Sequence, residues 1–401
     1  MSRGGEVTLD NQSSPYQLPI VKKSDSPVYF TGLNGIRAIA AIGVLSSHSF
    51  TAIKHFKGHH ALPSMDIAGQ GVTIFFTLSG FLITYLLLVE NEKNSAINLP
   101  YFYARRALRI WPLYFFYLAL SITFHRVFSP TTDLNMMSLP LFFFFLPNIA
   151  FSLNKCPPAT SQLWSIGIEE QFYAFWPLII GRVRHLTRFL VGFSLVLLCS
   201  QLIIRIVAGS HDHFAVSLSQ TMRYDTMAIG ALTAILVKNK NCTLQRLVAG
   251  RLPEILFIGL VILHCFNALR FLTYFGTMVT ALVTGLFIAS QITAKNKIIN
   301  LETPWLNYLG KRSFGIYVYH PLVINALTLA INALPSERFI PNPVILGMIG
   351  IMTVFVAHIS YEWIEQPFLR LKNRFTLFTP IQLSPKPTKI YGPRPRAEEA
   401  P

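Results

Sequence analysis

The chain has 401 residues, of which 52% are hydrophobic and only 13% are charged. A soluble globular protein carries about 25% charged residues, so this composition excludes an ordinary soluble fold. The 34 Lys and Arg residues against 18 Asp and Glu give a net charge of +16. On a soluble chain that excess would indicate a nucleic-acid partner, whereas in a membrane protein it is more often loop charge that sets the orientation. We therefore predict a polytopic protein whose partner is the lipid bilayer and which binds no nucleic acid.

The chain divides into a polar start, a long apolar middle and a basic end. Residues 1–28 are rich in Ser, Pro, Asn and Gln and have no apolar core, which predicts a disordered cytoplasmic tail and no cleavable signal. Residues 29–370 form the predicted transmembrane domain, and residues 371–401 a disordered, basic, Pro-rich cytoplasmic tail. Several apolar runs approach the ~20 residues that cross a bilayer. The ten runs cover residues 33–53, 71–89, 111–128, 167–181, 188–208, 224–237, 253–269, 272–291, 314–333 and 343–364.

Basic residues fix the predicted orientation of these runs. With the N-terminus in the cytoplasm and the loops sorted alternately, 25 of the 34 Lys and Arg residues fall inside and 6 outside. This split follows the positive-inside rule. A further apolar stretch, Leu139–Leu153, is broken by Pro147 and Asn148, and we interpret it as re-entrant or interfacial because counting it as a span would spoil the split. We predict an all-α polytopic membrane protein with about ten transmembrane helices and both termini cytoplasmic.

Two polar side chains lie inside the first run. Arg37 and His48 are eleven residues apart, and at about 100° per residue they fall within about 20° of the same helix face. Charged groups at membrane depth cost at least ~2.5 kcal/mol each on insertion scales, so they usually line a cavity or a site. The alternative is an Arg that snorkels to the interface and a His that bonds to a neighbouring helix.

Three arginines, Arg105, Arg106 and Arg109, precede the third run, in a stretch that we predict to be a loop. An orientation signal alone would explain them. Guanidinium groups also suit phosphate oxygens, and this loop is predicted to face the cytoplasm, where metabolites arrive.

The start of the fourth run places Ser165, Glu169 and Tyr173 on one helix face. A carboxylate in a low-dielectric site can act as an acid or a base near neutrality. A helix N-terminus also favours acids through its dipole, which explains Glu170 better than Glu169.

Polar residues also open the sixth run and occupy the ninth. Arg223 and Asp225 open the sixth run, where they either form a structural ion pair or shape an outer entrance. Tyr317 and His320 precede Pro321 in the ninth run, and a buried His beside a Pro kink more often makes a packing hydrogen bond than catalyses a reaction. The four cysteines have no CxxC or other metal spacing, so we expect no metal site.

In combination these residues resemble the membrane acyltransferase-3 family of integral membrane O-acyltransferases. The resemblance runs from Leu33 to Pro367, and Ile166 and Gly167 depart from the commoner Leu and Ser of that family. Seven short pieces in order carry it: Gly35-Ile36-Arg37 with His48, Phe75–Phe81, Arg105–Pro112, Leu163–Tyr173, Arg223-Tyr224-Asp225 with Gly230, Ser313–Tyr317 with His320-Pro321, and Glu365-Gln366-Pro367.

The resemblance implies a multi-pass enzyme of the bacterial cytoplasmic (inner) membrane. It implies transfer of an acyl group, usually acetyl from cytosolic acetyl-CoA, to a hydroxyl group, and we favour a cell-surface or lipid-linked saccharide as acceptor. Acyl-CoA is then a substrate, and no cofactor is expected to be bound permanently. We expect Arg37, His48 and Glu169 to be catalytic, and the substrate-binding residues to be Arg105, Arg106, Arg109, Ser165, Arg223, Asp225, Tyr317 and His320.

In this mechanism the imidazole of His48 removes the proton of the acceptor hydroxyl or accepts the acyl group itself, and Glu169 orients His48 or the acceptor.

Many members of the family add an extracytoplasmic hydrolase-like domain of the SGNH type. Only 34 residues follow Pro367, so we expect the membrane domain to finish the reaction alone or to hand over to a separate partner. A transporter of a small acid or a lipid-linked sugar is the alternative function, because intramembrane charges suit it equally well. The oligomeric state stays open.

Overall fold

The computed structural model describes residues 30–63, 65, 67–208, 212–268, 275–294, 297–335 and 340–375. Every regular element in these ranges is helical, and they contain no strand, which confirms the all-α prediction. The predicted tail at residues 1–28 lies outside the described residues, as do residues 376–401 of the predicted C-terminal tail.

Fifteen α-helices follow one another along the described chain. The first eight are α1 (Leu33–Ala52), α2 (Ala68–Asn94), α3 (Leu99–Phe128), α4 (Leu139–Phe143), α5 (Pro147–Ser152), α6 (Trp164–Arg182), α7 (Leu186–Ala208) and α8 (His213–Thr221). The remaining seven are α9 (Tyr224–Lys238), α10 (Cys242–Val248), α11 (Leu252–Cys265), α12 (Gly276–Thr293), α13 (Pro304–Asn332), α14 (Asn342–Ser360) and α15 (Gln366–Lys372).

All ten predicted apolar runs coincide with helices, but not all of these helices are long and apolar enough to span a membrane by themselves. Seven meet that test, and the α10–α11 pair, bent by 62°, makes up to eight. The other two runs correspond to α6 and α9. Helix α9 has 15 residues and is therefore only about 22 Å long, short of the ~30 Å hydrocarbon core. Helix α6 carries Glu169 and Glu170 and packs inside the bundle.

The stretch from Leu139 to Leu153 does not form a continuous helix. It folds as α4 and α5, which are separated by a tight turn in which Phe145 has a φ of 56°. Pro147 begins α5, where its missing N–H costs no helical hydrogen bond. Two helices of five and six residues cannot cross a bilayer, in agreement with the predicted re-entrant or interfacial segment.

The arginine-rich segment is not a loop, contrary to the prediction. Helix α3 begins at Leu99 and runs unbroken through the three arginines and Pro112. The side chain of Asn98 caps its N-terminus by accepting the N–H of Tyr101, and Pro100 occupies the first turn. These start signals lie a full ten residues before the apolar run, so hydropathy alone places the helix start too late.

The domain boundary at residue 371 stays a prediction, and the described chain is helical on both sides of it. Helix α15 continues to Lys372, and residues 373–375 form a further helical turn. The main chain between α14 and α15 makes a π-helical turn, Tyr361–Glu365, which is a rare conformation that is frequent at functional sites.

Helix α2 lies at the centre of the bundle and packs against α1, α6, α9 and α12. Its crossing with α9 depends on two glycines at which the backbones touch. A Cβ atom on Gly80 would lie 2.0 Å from the carbonyl oxygen of Met227, and one on Gly230 would lie 1.9 Å from that of Thr77. Both atoms that a side chain would meet belong to the backbone, so only a shift of one helix could make room.

We predict that Gly230→Ala destabilises the protein because it forces α2 and α9 apart. Overpacking of this kind costs about 1–3 kcal/mol. The measurement is the temperature at which detergent-solubilised protein loses its monodisperse peak in size-exclusion chromatography. Gly259→Ala in α11 is the matched control, because a Cβ there meets nothing within 4 Å. Equal thermal stability of the two variants would contradict the close crossing.

Candidate functional site

A cavity that opens to solvent lies among α1, α2, α3, α6 and α13, and the empty space in it and at its mouth is about 760 Å³. Its wall is mostly aromatic and aliphatic, and the polar side chains in it come from all five helices. These polar residues are Arg37, Ser79, Arg106, Arg109, Ser165, Glu169, Tyr173, Ser313 and Tyr317. Six of the eleven residues predicted from the sequence therefore line one cavity, although they are spread over 280 positions of the chain.

Three guanidinium groups enter this cavity. Arg106 stacks over the rings of Phe102 and Tyr173, with its Cζ 5.9 Å from each ring centroid, and its Nε is buried with no hydrogen-bond partner in the described part of the chain. Arg37 and Arg109 form no hydrogen bond and no ion pair with any residue that the structure describes. Guanidinium groups that share a largely apolar cavity with one carboxylate, Glu169, and form no ion pair with it suit an anion.

The third predicted arginine of this cluster, Arg105, does not line the cavity. It forms an ion pair of 2.8 Å with Glu90, whose side chain is only 3% exposed, and donates to the carbonyl oxygen of Phe375 at 2.9 Å. Glu90 also accepts the backbone N–H of Asn98 at 3.0 Å. Arg105 therefore holds the start of α3 to α2 and to the segment after α15.

Glu169 lies in the cavity wall opposite the arginines and is held by two hydroxyl groups. Ser79 donates to its Oε1 at 2.8 Å, and Tyr173 donates to its Oε2 at 3.3 Å. That Glu169 orients His48 or the acceptor stays a prediction, and in the structure the hydrogen bonds of Glu169 go to Ser79 and Tyr173 whereas His48 contacts His320. The neighbouring Glu170 accepts the indole N–H of Trp111 at 2.8 Å.

His48 pairs with His320 across the interface of α1 and α13. His48 Nδ1 lies 2.6 Å from His320 Nε2, and the two ring planes are within 21° of parallel. His320 is completely buried, whereas His48 is exposed. The predicted substrate-binding residue His320 thus contacts the predicted catalytic residue, and its Nδ1 is buried near the backbone of Ile316 and Tyr317 without a full hydrogen bond to any described residue.

The histidine pair lies beyond one end of the cavity, and Tyr317 separates the two. The hydroxyl groups of Ser165 and Tyr317 are 2.8 Å apart, and Tyr317 donates to the carbonyl oxygen of Gln162 at 2.9 Å. The ring centroids of Tyr317 and His320 are 6.0 Å apart. Along α1, Arg37 and His48 are about 16 Å apart at 1.5 Å per residue, so cations and imidazoles occupy different levels of the bundle.

One of the two interpretations of Arg223 and Asp225 was a structural ion pair, and the two side chains do not form one in the structure. Arg223 donates to the carbonyl oxygen of Gly69 at 2.7 Å and to Thr73 Oγ1 at 3.0 Å, and it lies over the ring of Trp164. Asp225 is 3% exposed, and its Oδ1 has no hydrogen-bond partner among the described residues. Neither side chain lines the cavity.

Three polar cavity residues, Ser79, Tyr173 and Ser313, were not among the predicted site residues. A signal existed for each: Tyr173 follows Glu169 by one helical turn, and Ser79 and Ser313 lie in the Phe75–Phe81 and Ser313–Tyr317 pieces that carry the family resemblance. A cysteine nucleophile has no support at Cys156, because burial raises the pKa of its thiol to about 12.

A sequence profile described as "Acyltransferase domain", that of the acyltransferase-3 family, matches residues 30–362. The chain belongs to the acyltransferase-3 family. This confirms the resemblance, and with the helical bundle it makes the chain a multi-pass membrane protein of an acyltransferase family. All eleven predicted site residues fall inside the matched range.

Similar proteins support the same conclusion. The chain is 25% identical over 395 residues to the O-acetyltransferase OatA of Staphylococcus aureus strain MRSA252, which covers 91% of this chain and 61% of that protein. It is 25% identical over 391 residues to OatA of strain NCTC 8325, and 28% identical over 365 residues to SACOL0978 of strain COL. The chain thus spans about three fifths of the length of these relatives, from 57% to 61%. No solved structure matches it.

We predict that substitution of two arginines of helix α3 affects the free energy of unfolding differently: one substitution lowers it and the other leaves it nearly unchanged. Arg105→Gln leaves the Glu90 carboxylate buried without its cation, which costs about 3–5 kcal/mol. Arg109→Gln removes no ion pair and leaves thermal stability close to that of the wild type. The measurement is the midpoint of thermal unfolding of each variant in detergent. A loss of stability of the same size in both variants would show that Arg109 has a structural partner.

Proposed function

We propose that the chain transfers an acyl group, with acetyl preferred, from cytosolic acyl-CoA to a hydroxyl group of a cell-surface or lipid-linked saccharide. The observation that carries this proposal is the pair of arginines, Arg37 and Arg109, that face a largely apolar cavity and form no hydrogen bond or ion pair with any residue in the described ranges. The printed names of the OatA relatives state O-acetyl transfer, which agrees with acetyl as the acyl group and a hydroxyl as the acceptor.

The proposed orientation places the arginine end of the bundle at the cytoplasmic side of a bacterial inner membrane. The positive-inside distribution of Lys and Arg supports it, since most of them lie on the side where α1 begins. Acyl-CoA would then reach Arg37, Arg106 and Arg109 from the cytosol. The acceptor would meet the exposed face of His48 at the other end.

In the proposed donor site, arginines bind the phosphate groups of CoA and apolar side chains surround its pantetheine arm. Arg106 and Arg109 would bind its phosphate oxygens through charge-assisted hydrogen bonds, which are about twice as strong as neutral ones. The narrow apolar part of the cavity, with Phe75 and Phe76 in its wall, suits the uncharged pantetheine arm. That arm would carry the thioester toward Ser165 and Tyr317.

His320 determines which nitrogen of His48 can act as a base. Pro321 has no N–H, so the carbonyl of Tyr317 lacks its usual helical donor and attracts a proton on His320 Nδ1. In that tautomer His320 Nε2 presents a lone pair, and the 2.6 Å contact requires His48 Nδ1 to donate to it. The lone pair of His48 then lies on Nε2, where it can take a proton.

The proposed transfer step is a direct displacement. The acceptor oxygen attacks the thioester carbonyl carbon while His48 Nε2 takes the hydroxyl proton. The C–S bond then breaks, the new ester forms, and the proton passes from the imidazolium to the leaving thiolate of CoA. Tyr317 donates its proton to the carbonyl oxygen of Gln162, so Ser165 is the hydroxyl that could turn from Tyr317 and donate to the thioester carbonyl oxygen as negative charge develops on it.

We predict that His48→Ala lowers acyl transfer by about 10²–10⁴-fold, which is the contribution of a positioned base. Inverted membrane vesicles that contain the variant would receive acetyl-labelled acetyl-CoA, and label would be followed into the glycolipid and polysaccharide fractions. His55→Ala, a change in the adjacent segment, is the control and keeps wild-type transfer. Full activity of His48→Ala would exclude both the base and the acyl-acceptor roles, whereas label that crosses the vesicle membrane without covalent attachment would support a transporter.

We predict that His320→Met lowers kcat by about 10- to 100-fold, as loss of a partner that orients a functional histidine does, and leaves the KM for acetyl-CoA unchanged. His320→Gln retains a side-chain oxygen that can accept from His48 Nδ1 and recovers most of the activity. The measurement is kcat and KM for the release of CoA with the same vesicles. Equal loss in the Met and Gln variants would contradict the tautomer argument and indicate a packing role.

A further inference from the structure

We propose that Ser79 is a positioning residue that keeps the donor site open, because its hydroxyl group holds the carboxylate of Glu169 away from the arginines of the cavity. The guanidinium groups then stay available for the phosphates of the donor. This inference rests on the proposed function and deepens it. It gives Ser79 an effect on donor affinity that requires no contact between Ser79 and the donor.

The hydroxyl group of Ser79 is directed differently from those of two residues that precede it in α2. Thr73 donates to the carbonyl oxygen of Gly69 at 3.1 Å, and Thr77 donates to that of Thr73 at 2.9 Å, so both hydrogen bonds stay within the helix. Such bonds to the preceding turn are a common local arrangement for Ser and Thr inside a helix. Ser79 instead donates to Glu169 Oε1 of α6 at 2.8 Å. Its hydroxyl group therefore positions a side chain of another helix.

Glu169 faces the arginines across the cavity, yet it forms no ion pair with any described residue. Its Oε2 accepts from the hydroxyl group of Tyr173 at 3.3 Å, and Arg106 Cζ lies 5.9 Å from the ring centroid of that same tyrosine. Arg37 and Arg109 line the cavity with it. Attraction between opposite charges is strong in a site of low dielectric constant, so an ion pair is the arrangement to be expected of a carboxylate there.

Two neutral donors occupy the carboxylate in place of a guanidinium group. Ser79 bonds Oε1 and Tyr173 bonds Oε2, and neither supplies a positive charge. The arginines therefore keep their charge for an anionic ligand. Without the hydroxyl group of Ser79, only the longer hydrogen bond from Tyr173 would remain, and the carboxylate could turn toward the guanidinium groups. The resulting ion pair would compete with the donor phosphates for the same cations.

The test measures binding of CoA to the purified full-length chain in detergent by calorimetry. We expect Ser79→Ala to weaken CoA binding about 10-fold, because an ion pair that forms about 90% of the time leaves about a tenth of the sites competent to bind. Ser200→Ala is the matched control and keeps wild-type affinity. Ser200 donates to the carbonyl oxygen of Leu197 within α7 and does not line the cavity.

A double-mutant cycle with Glu169→Gln distinguishes positioning from the alternatives. We expect Glu169→Gln to bind CoA no more weakly than the wild type, and we expect Ser79→Ala to cause no further loss in the Glu169→Gln background, because an uncharged side chain cannot form the ion pair. If Ser79 only supported the fold, or if it bonded CoA directly, the loss would be the same in both backgrounds and the inference would be overturned. Weaker binding by Glu169→Gln alone would contradict it as well.

Wild-type affinity of Ser79→Ala for CoA would also overturn this inference and would leave the proposed function intact. Absence of CoA binding by the wild-type chain would instead overturn the proposed function. If Ser79→Ala does not fold, Ser79→Cys decides, because a thiol occupies the same place but is a weaker donor. Its binding of CoA should be weaker than that of the wild type, and Glu169→Gln should remove the difference. A difference that persists in the Glu169→Gln background would contradict the inference.

Discussion

The cost of a charge inside an apolar helix bundle governs the arrangement of this protein. At the structural arginines the bundle offsets that cost with ion pairs or aromatic rings, and the arginines of the cavity differ from them in this respect. Arg105 is paired with Glu90, and Arg312 is paired with a carboxylate and lies between two tyrosine rings. Arg37 and Arg109 have neither kind of partner among the described residues. Since an uncompensated cation in such a place is unfavourable, the proposed anionic donor would supply negative charge that these two arginines lack.

The sequence predicted much of the fold because hydropathy and charge act over whole segments. The ten apolar runs became helices, and the break at Pro147 was found because proline and the following Asn interrupt a run visibly. The start of α3 was missed, since its first turns are polar and the signals that set it, a capping Asn98 and Pro100, lie outside the apolar run. Composition also does not reveal that α15 packs on α3, because its last residues belong to a basic segment without an apolar run.

The candidate site was predicted in outline, and its internal pairing was not. Polar residues inside the apolar runs could be predicted as site candidates because a polar side chain is energetically unfavourable at membrane depth. Their partners could not, because contacts between distant helices depend on rotations of a few tens of degrees. Thus Arg105 and Arg109 lie one turn apart on the same helix, yet only Arg109 reaches the cavity. The contact of His48 with His320 joins residues 272 positions apart, and nothing in either local sequence specifies it.

The separation of the arginines from the histidine pair constrains any mechanism that uses both. The cations line one end of the cavity, and the imidazoles lie beyond Tyr317, whose hydroxyl is held by Ser165 and by the carbonyl of Gln162. A donor bound by its phosphates can present its thioester to His48 only if the chain between these groups is long, thin and uncharged, since the intervening wall is largely apolar. Pantetheine has those properties. The geometry therefore favours a reaction in which donor and acceptor enter from opposite ends and meet at Tyr317, with the bundle itself separating the two pools.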